Sequence, residues 1–179
     1  MTRQEYNLDQ LLHGLIEKKA SITVGLDILE EDAAKLREQG HDIRYGNAEN
    51  FELGESFDVI FAGELIEHLQ NFDGFFKSCK KHMHEQSLLI LTTPNCFGIN
   101  YFTLYLFGRR NVNLSHTCWF CLKTLTHLLS RFNFQIIHNK FALRDNPRNT
   151  LFDNVMILFE KTFPKLAPRL FIVCKNLEE

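Results

Sequence analysis

A chain of 179 residues with 45% hydrophobic and 23% charged residues has the length and composition of one globular domain, residues 1–179, and hardly of two. No apolar run approaches the roughly 20 residues that span a bilayer, and the opening MTRQEYNLDQ has no signal-peptide core, so a cytoplasmic location is expected. The net charge of −2 is unevenly spread, with 9 Lys and Arg against 17 Asp and Glu in residues 1–99 and 11 against 5 in residues 100–179. Solvated helix faces account for such a division, and so does a C-terminal half that meets an anionic substrate. No stretch is basic and aromatic enough to predict nucleic-acid binding. The five scattered Cys agree with a reducing compartment.

Apolar residues at Leu8, Leu11, Leu12, Leu15 and Ile16 predict a helix from Leu8 to Lys19. Ile22–Leu26 reads as a short strand ending at Asp27. Glu30 to Gln39 reads as a helix stopped by Gly40, and His41–Tyr45 as a second strand. The turn-rich Gly46-Asn47-Ala48-Glu49 follows. Val59–Ala62 is an apolar run of the kind buried on both faces of a parallel sheet, broken by Gly63. A helix starting near Glu64 would place Glu64, Glu67 and His68 on one face.

Phe72 to Met83 predicts a helix with Phe75, Phe76 and Cys79 inward. Leu88–Leu91 reads as a strand ended by Thr92-Thr93-Pro94-Asn95. Residues 96–120 are aromatic and carry no clear period. Lys123 to Phe132 and Leu151–Phe163 read as helices, and Phe134–His138 and Leu170–Cys174 as strands. Alternation of this kind predicts an α/β layered fold with a mostly parallel sheet.

Three pieces stand in a telling order: VGLDI (Val24–Ile28), GNAENF (Gly46–Phe51), and FDVIFAGELIEHL (Phe57–Leu69) followed one helix later by LLILTTPN (Leu88–Asn95). From about Leu8 to Phe141 the chain resembles class I S-adenosylmethionine-dependent methyltransferases, in particular the group with "EHL" after the fourth strand. The resemblance implies a Rossmann-like fold with helices on both faces of the sheet. It also implies S-adenosylmethionine as cofactor, with Asp27 and Ile28 beside the ribose, Asn47 and Ala48 at the adenine, and Gly63 and Glu64 on the pocket floor. A carboxylate after a buried strand can accept two hydrogen bonds from a ribose diol, which suits Asp27; a helix-capping role suits it as well. Where Asn47 stands the family often has Asp.

The family opens with a strand and a D-x-G-x-G loop, and this sequence has no such motif. Met1–Tyr6 stands in its place, so the first strand is missing or altered. Either the neighbouring strands pair directly, or Met1–Tyr6 substitutes, or the chain lacks part of its natural N-terminus, which is the favoured expectation.

Glu64, Glu67 and His68 form an E-x-x-E-H pattern that could ligate Mg²⁺ or Mn²⁺. Methyltransferases of this group acting on small-RNA 3′ ends and on catechol-like quinone precursors look similar here, which implies His116 as a fourth ligand. Without metal, Glu67 and His68 orient each other, and His68 or His116 serves as general base. Cys118-Trp119-Phe120-Cys121 is formally CxxC, but it lacks a second ligand pair and reads as apolar packing. Tyr101, Trp119 and Phe120 suit an acceptor pocket or the core equally. The expected activity is methyl transfer to an oxygen of a small or medium-sized acceptor, a small molecule or a glycan-like one. The alternatives are a catalytically inert interaction or regulatory module that has lost the cofactor loop, and a dinucleotide-binding enzyme of related fold.

Overall fold

Helical and extended segments alternate much as the sequence predicts, and a computed structural model shows their bounds for residues 12–108, 113–143 and 151–177. They fall in two compact units, Met1–Phe51 and Glu52–Glu179.

In the first unit, helix α1 (Leu12–Glu17) precedes strand β1 (Gly25–Asp27), helix α2 (Glu30–Glu38) and strand β2 (Ile43–Tyr45). β1 and β2 form a parallel pair in which Asp27 stands opposite Tyr45, so both strands point their carboxyl ends the same way. Helix α2 begins with Glu30, Glu31 and Asp32 and carries Lys35 and Arg37 in its last turn, an order that suits the helix dipole. Its end is a Schellman motif. Gly40 adopts φ +94°, the Gly40 amide bonds the Arg37 carbonyl at 2.9 Å, and the His41 amide bonds the Leu36 carbonyl at 3.1 Å. A side chain at position 40 would be strained in that conformation.

The second unit contains strand β3 (Val59–Gly63), helix α3 (Phe72–Lys81), strand β4 (Leu88–Pro94), and helices α4 (Ile99–Leu106) and α5 (Leu122–Arg131). Strand β5 (Phe134–Ala142), helix α6 (Leu151–Thr162) and strand β6 (Arg169–Asn176) complete it. The sheet order is β3-β4-β6-β5. β3 and β4 are parallel, but β6 inserts antiparallel to both β4 and β5. The sheet is therefore mixed, where strand–helix alternation predicts a mostly parallel one. Period and length locate a strand but do not give its direction, and β6 finds its place through pairing on both edges.

Phe75, Phe76 and Cys79 of α3 and Leu125 and Leu129 of α5 are buried with Leu89 and Leu91 of β4 and Ile172 and Cys174 of β6. Phe76 is the aromatic centre of this core, with ring centroids 4.6 Å from Phe132 and 5.4 Å from Phe134.

β4 continues past Leu91 to Pro94, opposite Arg169 of β6. Proline is tolerated because β3 pairs only as far as Thr92, so no ladder bond on that side needs the missing N–H. The strands ending at Asp27 and at Gly63 belong to different sheets. Met1–Tyr6, the segment expected in place of the glycine loop, lies outside the described residues.

Candidate active site

Gly63 ends β3, and the chain then turns sharply. Glu64 has φ +50°, a left-handed conformation, with its amide bonded to the Thr92 carbonyl at 2.9 Å. Ile66–His68 forms a single 3₁₀ turn. This corrects the expectation of one helical face carrying Glu64, Glu67 and His68. Glu64 precedes the helical residues, and its carboxylate lies 3.6 Å from Arg169 Nε at the start of β6.

Glu67 is 1% exposed. Its Oε2 accepts a hydrogen bond from Thr93 Oγ1 at 2.9 Å, while its Oε1 is buried with no hydrogen-bond partner among the described residues. An unsatisfied buried oxygen costs on the order of 1–3 kcal/mol, more if charged, so this oxygen calls for a partner from water or from a ligand.

His68 stands beside it. Its Nδ1 lies 3.3 Å from the Ser115 carbonyl and 3.0 Å from Ser115 Oγ. A carbonyl only accepts, and the Ser115 hydroxyl donates to Asn113 Oδ1 at 2.9 Å, which together favour the tautomer with the proton on Nδ1. That tautomer leaves Nε2 with its lone pair, available as a base or a ligand. The His116 ring packs edge-on against His68 with centroids 4.6 Å apart, and its Nδ1 is buried and unpartnered among the described residues. One donor atom from each of Glu67, His68 and His116 lies within 4.8 Å of the other two. The three suit a metal ion; Glu64 is not in this group.

Backbone contacts lock the arrangement. The Thr117 amide bonds the Glu67 carbonyl at 2.8 Å, and its hydroxyl donates to the Leu69 carbonyl at 2.8 Å. Asn95 is buried at the end of β4 and donates from Nδ2 to the carbonyls of Lys165 at 3.0 Å and Ala167 at 2.8 Å. It thereby fixes the segment that presents Arg169. The sequence reading gives no role to Thr93, Asn95, Ser115 or Arg169, although Thr93 and Asn95 stand in the LLILTTPN motif and Arg169 belongs to the positively charged C-terminal half.

Trp119 lies 6.0 Å from the His116 ring and 4.9 Å edge-on from Tyr101. Burial first, and then the Glu64 carboxylate, raise the Tyr101 hydroxyl above its ordinary pKa, so it remains a hydrogen-bond donor. Phe120 instead is buried and packs against Phe72, which makes it core. All five cysteines are free thiols.

In the other unit, Asp27 is the last residue of β1 and Asn47 follows the carboxyl end of β2. Asp27 Oδ1 accepts the Leu29 amide at 2.8 Å, so it does serve the start of α2, and its second oxygen makes no hydrogen bond among the described residues. Asn47 Oδ1 accepts the Glu49 amide at 2.9 Å, Ala48 is half-buried and Ile28 is 59% exposed.

Comparison with known proteins decides the family. Residues 10–139 match a methyltransferase domain family. The chain belongs to that family. The methyltransferase domain is 34% identical over 92 residues to a ubiquinone biosynthesis O-methyltransferase of Agrobacterium fabrum, a match covering 48% of this chain and 37% of that enzyme. Its fold matches that of an S-adenosylmethionine-dependent methyltransferase from Archaeoglobus fulgidus, with TM-score 0.62, 17% identity, and coverage of 91% of this chain and 80% of the other. A magnesium protoporphyrin IX methyltransferase from Synechocystis, solved with bound S-adenosylhomocysteine, gives TM-score 0.62 at 10% identity over 93% of this chain and 69% of its own. These likenesses establish the α/β Rossmann-like methyltransferase fold. Among the described residues no helix is long and apolar enough to cross a membrane.

Proposed function

We propose that this protein transfers a methyl group from S-adenosylmethionine to an oxygen of a small or medium-sized acceptor. The observation that carries the reading is the group of buried Glu67 with half-buried His68 and His116, which has unsatisfied donor atoms and gathers at the end of β3 of a methyltransferase domain. The partial likeness to an O-methyltransferase supports oxygen as the acceptor atom. The family match runs through both units, which supports a single methyltransferase domain.

Asp27 is the residue proposed to hold the cofactor ribose, through the carboxylate oxygen that Leu29 leaves open. The reaction is a displacement at the sulfonium methyl. The acceptor oxygen forms the new C–O bond, the C–S bond breaks with its electrons left on sulfur, and the acceptor proton passes to His68 Nε2. The Ser115 carbonyl keeps the imidazole in the tautomer this requires. Tyr101 and Trp119 would flank the acceptor, and Arg169, now 3.6 Å from the Glu64 carboxylate, would meet a negative group on it by exchanging that partner.

Two unpartnered buried donor atoms, Glu67 Oε1 and His116 Nδ1, favour a metal-assisted form of the same reaction. Glu67, His68 and His116 would hold Mg²⁺ or Mn²⁺, and such an ion lowers the pKa of a bound hydroxyl.

Calorimetric titration with S-adenosylhomocysteine tests the cofactor. Binding to the wild type is expected, weakened at least tenfold by Asp27→Ala. No binding at millimolar ligand would favour the inert module and sink the enzyme reading. With an acceptor in hand, His68→Ala should lower the rate by about 10²–10⁴ without changing S-adenosylhomocysteine affinity. Chelation followed by return of Mg²⁺ or Mn²⁺ should abolish and restore turnover; indifference to both would leave His68 as the base alone.

A further inference from the structure

The smaller unit contains a second group of ligand-bearing side chains, none of them in the VGLDI, GNAENF or FDVIFAGELIEHL motifs. His13 and Glu17 stand four residues apart on α1 and so share a face. Glu17 Oε1 lies 3.0 Å from His13 Nε2, and Glu17 Oε2 lies 2.7 Å from His41 Nδ1. The two imidazoles meet edge-on, with centroids 5.8 Å apart. One donor atom from each of the three falls within 4.8 Å of the others, and all three side chains are partly buried. We propose that His13, Glu17 and His41 form a binding site for a divalent transition ion of the Zn²⁺ class, tying α1 to the turn between α2 and β2.

Two imidazoles and one carboxylate are a donor set that a borderline divalent cation prefers, and three protein ligands leave a fourth position for water. The geometry is close to what an ion needs. Metal–nitrogen and metal–oxygen bonds of about 2.0–2.2 Å in a tetrahedral arrangement separate the ligand atoms by about 3.4 Å, so the contacts of Glu17 with His13 and His41 must lengthen by about 0.4 and 0.7 Å. His13 Nε2 supplies a second, independent observation. It is buried and, despite its 3.0 Å approach to Glu17, makes no hydrogen bond of acceptable geometry among the described residues. The His41 contact does have hydrogen-bond geometry, so Glu17 already joins the two imidazoles.

The backbone is shaped to present these three. Gly40 in its left-handed conformation closes the Schellman motif whose next residue is His41. Gly25 at the start of β1 has no side chain where His13 lies: a Cβ there would sit 3.1 Å from His13 Cε1 and 3.3 Å from Nδ1. A unit whose two strands have three residues each buries little, and small folding units commonly need a covalent or metal staple.

The test is Co²⁺ titration of the full-length chain in a His68→Ala/His116→Ala background, which disables the other candidate group. One equivalent of Co²⁺ is expected, with visible d–d bands and competition by Zn²⁺. Adding His13→Ala or Glu17→Gln should weaken binding more than tenfold. Glu17→Gln retains the side-chain shape and a hydrogen-bond acceptor for His41, so far-UV circular dichroism should show it folded even if His13→Ala is not. No Co²⁺ uptake at millimolar metal in that background, or uptake equally tight in Glu17→Gln, overturns the proposal.

Discussion

Cys121 and Cys174 show how one residue type takes opposite chemistry from its surroundings. Cys121 is the N-cap of α5, where the Thr124 amide donates to its sulfur and lowers the thiol below its ordinary pKa; the Thr124 hydroxyl and Lys123 amide act in the same direction. Cys174 lies fully buried on β6, and burial pushes its thiol up to about 12. Burial likewise raises Cys79, the charge of Cys174 adding to the effect. Because the thiolate is the nucleophile, iodoacetamide at neutral pH should alkylate Cys121 first and leave Cys79 and Cys174 untouched in the native protein. As pH falls, Cys121 labelling should persist to lower pH than that of Cys118 or Cys96, both of which burial raises. Peptide mass mapping over a time course checks the order; early modification of Cys174 would contradict it. The sequence reads CxxC as apolar packing, whereas Cys118 and Cys121 are only half-buried, and the helix start at Leu122 distinguishes Cys121 from its neighbours.

At the scale of elements, the core strands and helices were legible because their apolar period is local. Phe75, Phe76 and Cys79 stand at helical spacing and are all buried. The segment Gly63–Leu69 was legible only as a motif. A helical wheel drawn through E-x-x-E-H assumes 3.6 residues per turn, and Glu64 with φ +50° followed by a 3₁₀ turn breaks that assumption. Residues 96–120 had no readable period because long-range bonds hold their ends: the Cys96 amide reaches the Phe120 carbonyl at 2.8 Å, and the Thr117 amide reaches Glu67. Where period is clear, energetics can be forecast. Phe76→Ala removes a fully buried ring stacked on Phe132 and tilted on Phe134, and it should cost about 3–5 kcal/mol. Urea unfolding should show this as a lower midpoint with unchanged slope. A loss below about 1 kcal/mol would mean that α3 and α5 close over the gap.

For the molecule as a whole, class and family followed from the order of three motifs, whereas strand direction and the grouping of strands into two sheets did not, since both depend on partners distant in sequence. The same distinction governs what a ligand can do to stability. A cofactor that binds only the folded chain stabilises it by mass action, whichever residues it touches, and at a hundredfold excess over Kd the gain is about 2.7 kcal/mol. In a chain of 179 residues each kcal/mol raises the melting temperature by roughly 2–4 °C, so S-adenosylhomocysteine at that excess should raise it by about 5–11 °C. The shift should grow with the logarithm of ligand concentration and should fall to about half or less in Asp27→Ala at the same concentration, because that variant loses the carboxylate oxygen left open beside Leu29 and binds at least tenfold more weakly. Adenosine, which keeps the ribose diol and the adenine but lacks the amino-acid part, should give a smaller shift in the wild type and none in Asp27→Ala. Equal shifts in wild type and variant would move the ribose contact away from β1, and no shift with either ligand at millimolar concentration would remove S-adenosylmethionine from the chemistry of this chain.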